Sequence, residues 1–204
     1  METKERILVK ADELFNRYGI RSVSMDDLAT GLGISKKTVY QYYTDKDELV
    51  DAVFKASIEE NKKCCLAGRI GADNAVDEVL KGFEMVQVML SNLNPSVLFD
   101  LEKYHTKTYK KFLEFKDGFL YGMIKENIER GIKEEMYRAD IDIDIMTRYR
   151  LYSIMLSFNP EVFPNNRSQL VHIEQQLLEH FIYGIATAKG QKHIEKYKNH
   201  RNKK

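Results

Sequence analysis

Residues 24–46 read SMDDLATGLGISKKTVYQYYTDK, and their spacing predicts two short helices joined by a tight turn. Ser24 can accept from the free backbone N–H groups at the start of the first helix, while Asp26 and Asp27 favour the positive end of its dipole. Ser24-x-x-Asp27 resembles a capping box, in which each side chain satisfies the other residue's backbone N–H. Counted from Met25 as the first place, Ala29 falls fifth, Leu32 eighth, Gly33 ninth, Ile34 tenth and Val39 fifteenth. Small Ala29 lets two helices cross closely, and Gly33 can take the positive φ of the turn. Leu28, Leu32, Ile34 and Val39 supply a shared apolar contact. This is the spacing of a helix-turn-helix. Ser35 is placed to cap the second helix, whose remaining faces carry Lys36, Lys37, Thr38, Tyr40, Gln41 and Tyr42, donors suited to phosphates and base edges. An ordinary helical hairpin with solvated lysines is the plainer alternative, but it does not require small, glycine and apolar positions to agree over so short a window.

The run GISKKTVYQYYTDKDELV resembles the signature of TetR-family transcriptional regulators, of the form G-(V/I)-S-K-x-T-(L/V)-Y-x-(Y/H)-F ahead of a lysine and an acidic pair. Gly33, Ser35, Lys36, Thr38, Val39, Tyr40, Tyr42 and Lys46 match position by position. Tyr43 stands in place of the usual phenylalanine, and Lys37 where glycine is frequent. The remainder resembles the family in length and helix pattern. The resemblance implies a homodimeric repressor whose head, residues 1–47, binds double-stranded DNA at a palindromic operator. Its body, residues 48–190, would dimerise through its last two helices and take a small hydrophobic effector. DNA contacts would then fall to Ser24, Ser35, Lys36, Lys37, Thr38, Tyr40, Tyr42 and Lys46. Lys36 and Lys37 would reach guanine edges or phosphates and the others would mainly fix register on the backbone. Val39 and Tyr43 would be buried in the head.

Composition agrees with a globular protein: of 204 residues, 43% are hydrophobic and 31% charged. No apolar run reaches the length of a membrane span, and the N-terminus is a charged amphipathic stretch without a signal-peptide core, so the expected compartment is the cytoplasm. Net charge is only +1, and residues 1–50 hold eight Lys and Arg against nine Asp and Glu. Any basic surface on the head must therefore come from how charges divide among helix faces. Residues 189–204 hold seven Lys or Arg and one Glu, and residues 191–204 read as a flexible basic tail, with an auxiliary DNA or partner contact as the alternative.

The whole pattern predicts an all-α chain of about nine helices. A first helix over residues 4–18 should end at Gly19, and a fourth, from Lys46, should bridge head and body as far as Gly68. Further helices follow over 73–93, 95–105 and 106–130, the last stopping at Gly131. The polar link KEEMYRADIDID ends in capping aspartates before a helix that continues to Phe158, and the last helix covers 168–189. The final two have apolar stripes wide enough to pack inward and still face another copy. Phe83, Met89, Phe99, Tyr104, Tyr109, Phe112, Tyr149 and Tyr152 on the middle helices are candidates to line an effector pocket, though most such residues serve as plain core.

Other chemistry is not supported. Glu102-x-x-His105 has the spacing of a di-iron ligand pair, but a second Glu-x-x-His is missing. Asp140, Asp142 and Asp144 imitate a calcium loop without its glycine and closing glutamate. Cys64 and Cys65 are adjacent and have no third metal ligand nearby in sequence. No catalytic motif is present, so the expectation is a non-enzyme without metal or cofactor. The rival reading is a helical ligand-binding or scaffold protein that does not bind DNA specifically.

Overall fold

The computed structural model describes residues 2–164 and 166–201, the side chains of residues 166–168 and 201 excepted. Among these residues the regular elements are all helical: α1 Thr3–Tyr18, α2 Met25–Leu32, α3 Lys36–Tyr42, α4 Lys46–Ile70, α5 Ala75–Asn92, α6 Ser96–Tyr104, α7 Thr106–Glu114, a π-helical segment Phe115–Leu120, α8 Tyr121–Lys133, α9 Ile143–Leu156, α10 Asn166–Ile185 and α11 Ala188–Arg201. The π segment joins α7 and α8 without a break, so these make ten rods where about nine were expected.

Local chemistry sets most starts. Asp45 Oδ1 accepts from the Glu48 N–H at 2.8 Å to open α4, and Glu48 answers by accepting from the Thr44 N–H at 2.6 Å. Asn74 Oδ1 accepts from the Asp77 N–H at α5, and Asp142 Oδ1 from the Ile145 N–H at α9, both at 3.0 Å. These are the side-chain acceptors that free N-terminal amides need.

Two ends differ from expectation. Gly131 does not stop its helix, which runs to Lys133 and turns out through Glu135 at φ 59°. The glycine is required by packing instead: a Cβ there would stand 2.0 Å from Cδ2 of Tyr137, whose buried hydroxyl donates to Ala75 O and Asn127 Oδ1 at 3.1 Å. The final helix also stops early, at Ile185. Ala186 pairs in an isolated antiparallel bridge with Tyr137, and Thr187 Oγ1 accepts from the Gly190 N–H at 3.1 Å to start α11. The expected flexible tail is therefore helical as far as Arg201 and anchored by fully buried Ile194, while residues 202–204 lie outside the described residues.

The chain forms two compact units, residues Met1–Glu60 with Asn92–Leu113 and residues Asn61–Ser91 with Glu114–Lys204. The first is larger than the 1–47 head. Its core joins Ile7, Ala11 and Phe15 of α1 to Leu28 and Ala29 of α2, Val39 of α3, Leu49, Val50 and Val53 of α4, and Val97 and Leu101 of α6. Outside this core, His105 Nδ1 lies 2.7 Å from Asp47 Oδ1, Lys111 Nζ bonds Asp51 at 2.7 Å, and the Phe54 and Phe112 rings meet edge to face at 6.0 Å. The second unit has its own core, built from Ala75, Val76 and Leu80 of α5, Ile128 of α8, Met136 and Tyr137, Phe181, Ile182 and Ile185 of α10, and Ile194 of α11.

Candidate nucleic-acid interface

The turn between α2 and α3 is built as its residues require. The Ser24 N–H donates to Asp27 Oδ2 at 2.7 Å and the Asp27 N–H donates to Ser24 Oγ at 3.1 Å, which completes the capping box. The side-chain bond from Ser24 Oγ, with that from its backbone, holds the Asp27 carboxyl below its ordinary range. Gly33 ends α2 at φ 65°, ψ 31°, the left-handed region where a side chain would be strained. The Ile34 N–H then reaches back to Ala29 O at 3.0 Å. Ser35 Oγ accepts from the Thr38 N–H at 3.1 Å and opens α3.

That cap sets the rotation of α3. Val39 and Tyr43 point inward, 0% and 3% exposed, into the core that also holds Ala29. Lys36, Lys37, Tyr40, Gln41 and Tyr42 are left on the exposed side, and α3 contains no acidic residue. An exposed helix face of lysine, tyrosine and glutamine can enter a major groove and bond both phosphates and base edges.

The eight proposed contact residues differ in what they already touch. Ser35, Lys37, Tyr40 and Tyr42 are exposed on α3 or at its cap, and Ser24 is exposed at the start of α2. Thr38 is half-buried, its hydroxyl 2.8 Å from that of Ser35. Lys36 Nζ lies 2.6 Å from Asp26 Oδ2, which raises the pKa of its amine; a pair this exposed is worth little and yields readily to a phosphate. Lys46 is half-buried and donates to Ile20 O at 2.7 Å, and burial lowers the pKa of its amine. Sequence reasoning misses Asp26 and the α6–α7 clamp residues Asp100, His105 and Lys111 in these roles. Their partners lie 10 to 79 residues away, beyond any local pattern.

The eight pocket candidates divide evenly between the units: Phe99, Tyr104, Tyr109 and Phe112 in the first, Phe83, Met89, Tyr149 and Tyr152 in the second. Of these only Phe83 and Phe112 are buried. Tyr104 lies 5.3 Å from the Arg21 guanidinium, and Tyr152 lies 4.9 Å from the buried Lys116 amine. Burial pushes the Cys65 thiol up to about 11, so at neutral pH it stays protonated and weakly nucleophilic. Among the described residues, no three His, Cys, Asp or Glu are grouped to hold a metal, and no helix is long and apolar enough to cross a membrane.

Comparison with known proteins agrees with this geometry. Residues 7–53 match the model of the bacterial regulatory proteins of the tetR family. The HTH-type transcriptional regulator YvaF of Bacillus subtilis is 31% identical over 167 residues, covering 77% of this chain and 82% of the relative. The HTH-type transcriptional repressor KstR2 of Mycolicibacterium smegmatis is 22% identical over 204 residues, with 93% of this chain and 94% of the relative covered. The crystal structure of a TetR transcriptional regulator from Legionella pneumophila superposes with a TM-score of 0.72 over 91% of this chain and 98% of that one, at 16% identity. With the matched segment covering the capping box, the left-handed glycine and the exposed face of α3, the chain belongs to the TetR family of helix-turn-helix DNA-binding transcriptional regulators.

Proposed function

We propose that the protein is a homodimeric repressor that holds a palindromic operator with two copies of α3 and releases it when a small hydrophobic effector binds. The observation that carries the dimer is the apolar stripe that α9 leaves exposed. Its inward side buries Leu151 together with Thr147, Arg150 and Ser153, with Arg150 ion-paired to buried Glu174 of α10 at 3.3 Å. Its outward side carries Ile145, Tyr149, Tyr152 and Leu156, which are 57%, 47%, 58% and 39% exposed. Steps of four, three and four residues place them in one seam of the kind that helices use to pair. A second copy brings the same stripe about a two-fold axis and removes both from water. The apolar positions of α10, among them Leu170, Ile173, Phe181 and Ile185, are buried in their own chain, so α10 adds the exposed His172, Gln176 and His180.

Two heads one helical turn apart read a palindrome with more affinity and specificity than one short helix. The eight residues from Ser24 to Lys46 named above are the proposed contacts, with Lys37, Tyr40 and Tyr42 the most available. Repression is supported by the name of the KstR2 relative. The effector rests on the aromatic and methionine side chains of the middle helices, and α4 is the proposed lever because one helix supplies residues to both units. An effector that prefers the released form by ~1–3 kcal/mol weakens DNA binding ~5–150-fold.

The test is selection of bound sequences from fragmented genomic DNA by the purified protein, with its mass in solution measured alongside. An enriched palindrome bound by a dimer supports the proposal. A folded dimer that enriches none overturns it in favour of the scaffold reading, to which the near-neutral charge of the head belongs.

A further inference from the structure

Cys64 and Cys65 have no third metal ligand nearby in sequence, but the fold brings sulfur to them from α5. Asn61, Cys64, Cys65 and Gly68 lie within about 100° on one side of α4, with the two cysteines flanking the line from Asn61 to Gly68. Gly82, Met85 and Met89 share one side of α5 at steps of three and four. Two contacts fix the register. Asn61 Nδ2 donates to Met89 Sδ at 3.2 Å, and a Cβ on Gly68 would stand 3.1 Å from Gly82 Cα. Pairing 61 with 89 and 68 with 82 makes the helices antiparallel here, so Met85 stands opposite Cys65. All of these residues belong to the second unit.

We propose that Cys64, Cys65 and Met85 form a site for a soft monovalent cation of the Cu(I) or Ag(I) class. The position of Met85 supports it most directly. Its Sδ lies 3.8 Å from where a Gly68 Cβ would be, and that point is about 5–6 Å from the Cβ of Cys65, one turn earlier. The thioether is thus within one side-chain rotation of the thiol. A methionine that only fills a gap in a core is shut off from water. Met85 leans over the two glycines while 44% exposed, and both cysteines are half-buried, so a cation can reach the sulfurs from solvent.

Thioether and thiolate sulfurs select soft cations, whereas Zn(II) takes its thiolates with imidazole, carboxylate or further thiolates. Among the described residues no His, Asp or Glu joins the two cysteines in a group of three. A soft monovalent ion accepts a low coordination number, which three sulfurs meet. Each thiol that binds gives its proton to water, and no electron is transferred. Met89 is left out because its sulfur already accepts from Asn61.

The experiment titrates reduced full-length protein with Cu(I) in the absence of oxygen, with bicinchoninate competing for the metal, and reads the surroundings of the bound ion by X-ray absorption. One Cu(I) per chain should be withdrawn from the chelator, with three sulfurs around it. Met85→Leu should weaken binding by at least the ~10–100-fold that metal sites lose with a merely supporting residue, and should leave two sulfurs. Met89→Leu, one turn along, should change neither the affinity nor the sulfur count. Cys64→Ser with Cys65→Ser should bind none. Thermal melting of the metal-free proteins confirms that each variant is folded. A wild-type ion with only two sulfurs, or a Met85→Leu protein that binds as tightly as wild type, overturns the site by reducing it to a bare thiol pair. Loss of affinity in Met89→Leu in place of Met85→Leu, or Cu(I) retained by the double serine variant, overturns it as well.

Discussion

Asp100 Oδ2 accepts the backbone N–H of Arg21 at 3.0 Å, across 79 residues of chain. The next residue back, Ile20, gives its carbonyl to Lys46. The link from α1 to α2 is thus clamped by α6 and by the first turn of α4. Asp100→Ala leaves the Arg21 N–H without its partner and should cost about 1–3 kcal/mol of stability. Asp100→Asn keeps an acceptor and should recover much of that loss. Urea unfolding reads both, and an unchanged midpoint in the alanine variant would show that the clamp carries no stability.

The bond from Lys46 to Ile20 separates it from the residues of α3. Lys37→Ala and Tyr40→Ala alter exposed side chains and should each lower operator affinity by about 1–3 kcal/mol where the side chain reads a base edge, with melting unchanged. Lys46→Ala should lower affinity and melting temperature together, since it also frees Ile20 O. Fluorescence anisotropy beside a thermal melt distinguishes the two patterns. A Lys46→Ala protein that melts as wild type would make its role a DNA contact only.

Where local chemistry decides structure, the sequence was legible. Ser24, Asp27, Gly33 and Ser35 act within four residues of themselves, and Val39 and Tyr43 follow from helical period, so the head could be read closely. The α6–α7 clamp could not, because Asp100 and His105 find partners that only the fold brings near. Gly131 misled for a related reason: a glycine near a helix end signals a stop, but here it makes room for the ring of Tyr137, six residues on. The last helix looked continuous through residue 189 because its apolar spacing survives the break that the Tyr137–Ala186 bridge imposes.

That packing supplies its own test. Gly131→Ala adds a methyl 2.0 Å from the Tyr137 ring, a clash that neither residue can relieve without moving a buried side chain. Overpacking of this kind typically costs about 1–3 kcal/mol or more. Pairing it with Tyr137→Leu should return part of the loss in denaturant unfolding. Additive losses in the double variant would mean that the ring and the glycine are not in conflict.

The stripe on α9 predicts an oligomeric change without unfolding. Ile145→Glu with Tyr152→Glu places charges on two exposed positions of the seam, so a lone chain tolerates them and a paired face does not. Sedimentation should show a monomer with unchanged helical content, and operator affinity should fall with the loss of the second head. A variant that remains dimeric would move the interface elsewhere.

The capping box gives a pH dependence with a definite sign. Bonds from Ser24 depress the Asp27 carboxyl in the folded state below its unfolded value of about 3.9. Its contribution is therefore present above that value and is lost as pH falls through the folded pKa. Ser24→Ala removes the cap and should destabilise the protein by about 1 kcal/mol at pH 7. Part of this difference is the bonding to ionised Asp27, so the gap between variant and wild type should narrow below about pH 4. It should not close, because the Asp27 N–H bond to Ser24 Oγ does not depend on that charge. Urea midpoints at pH 7 and pH 3 measure the change, and a gap of constant size would remove Asp27 ionisation from the account of how α2 is held.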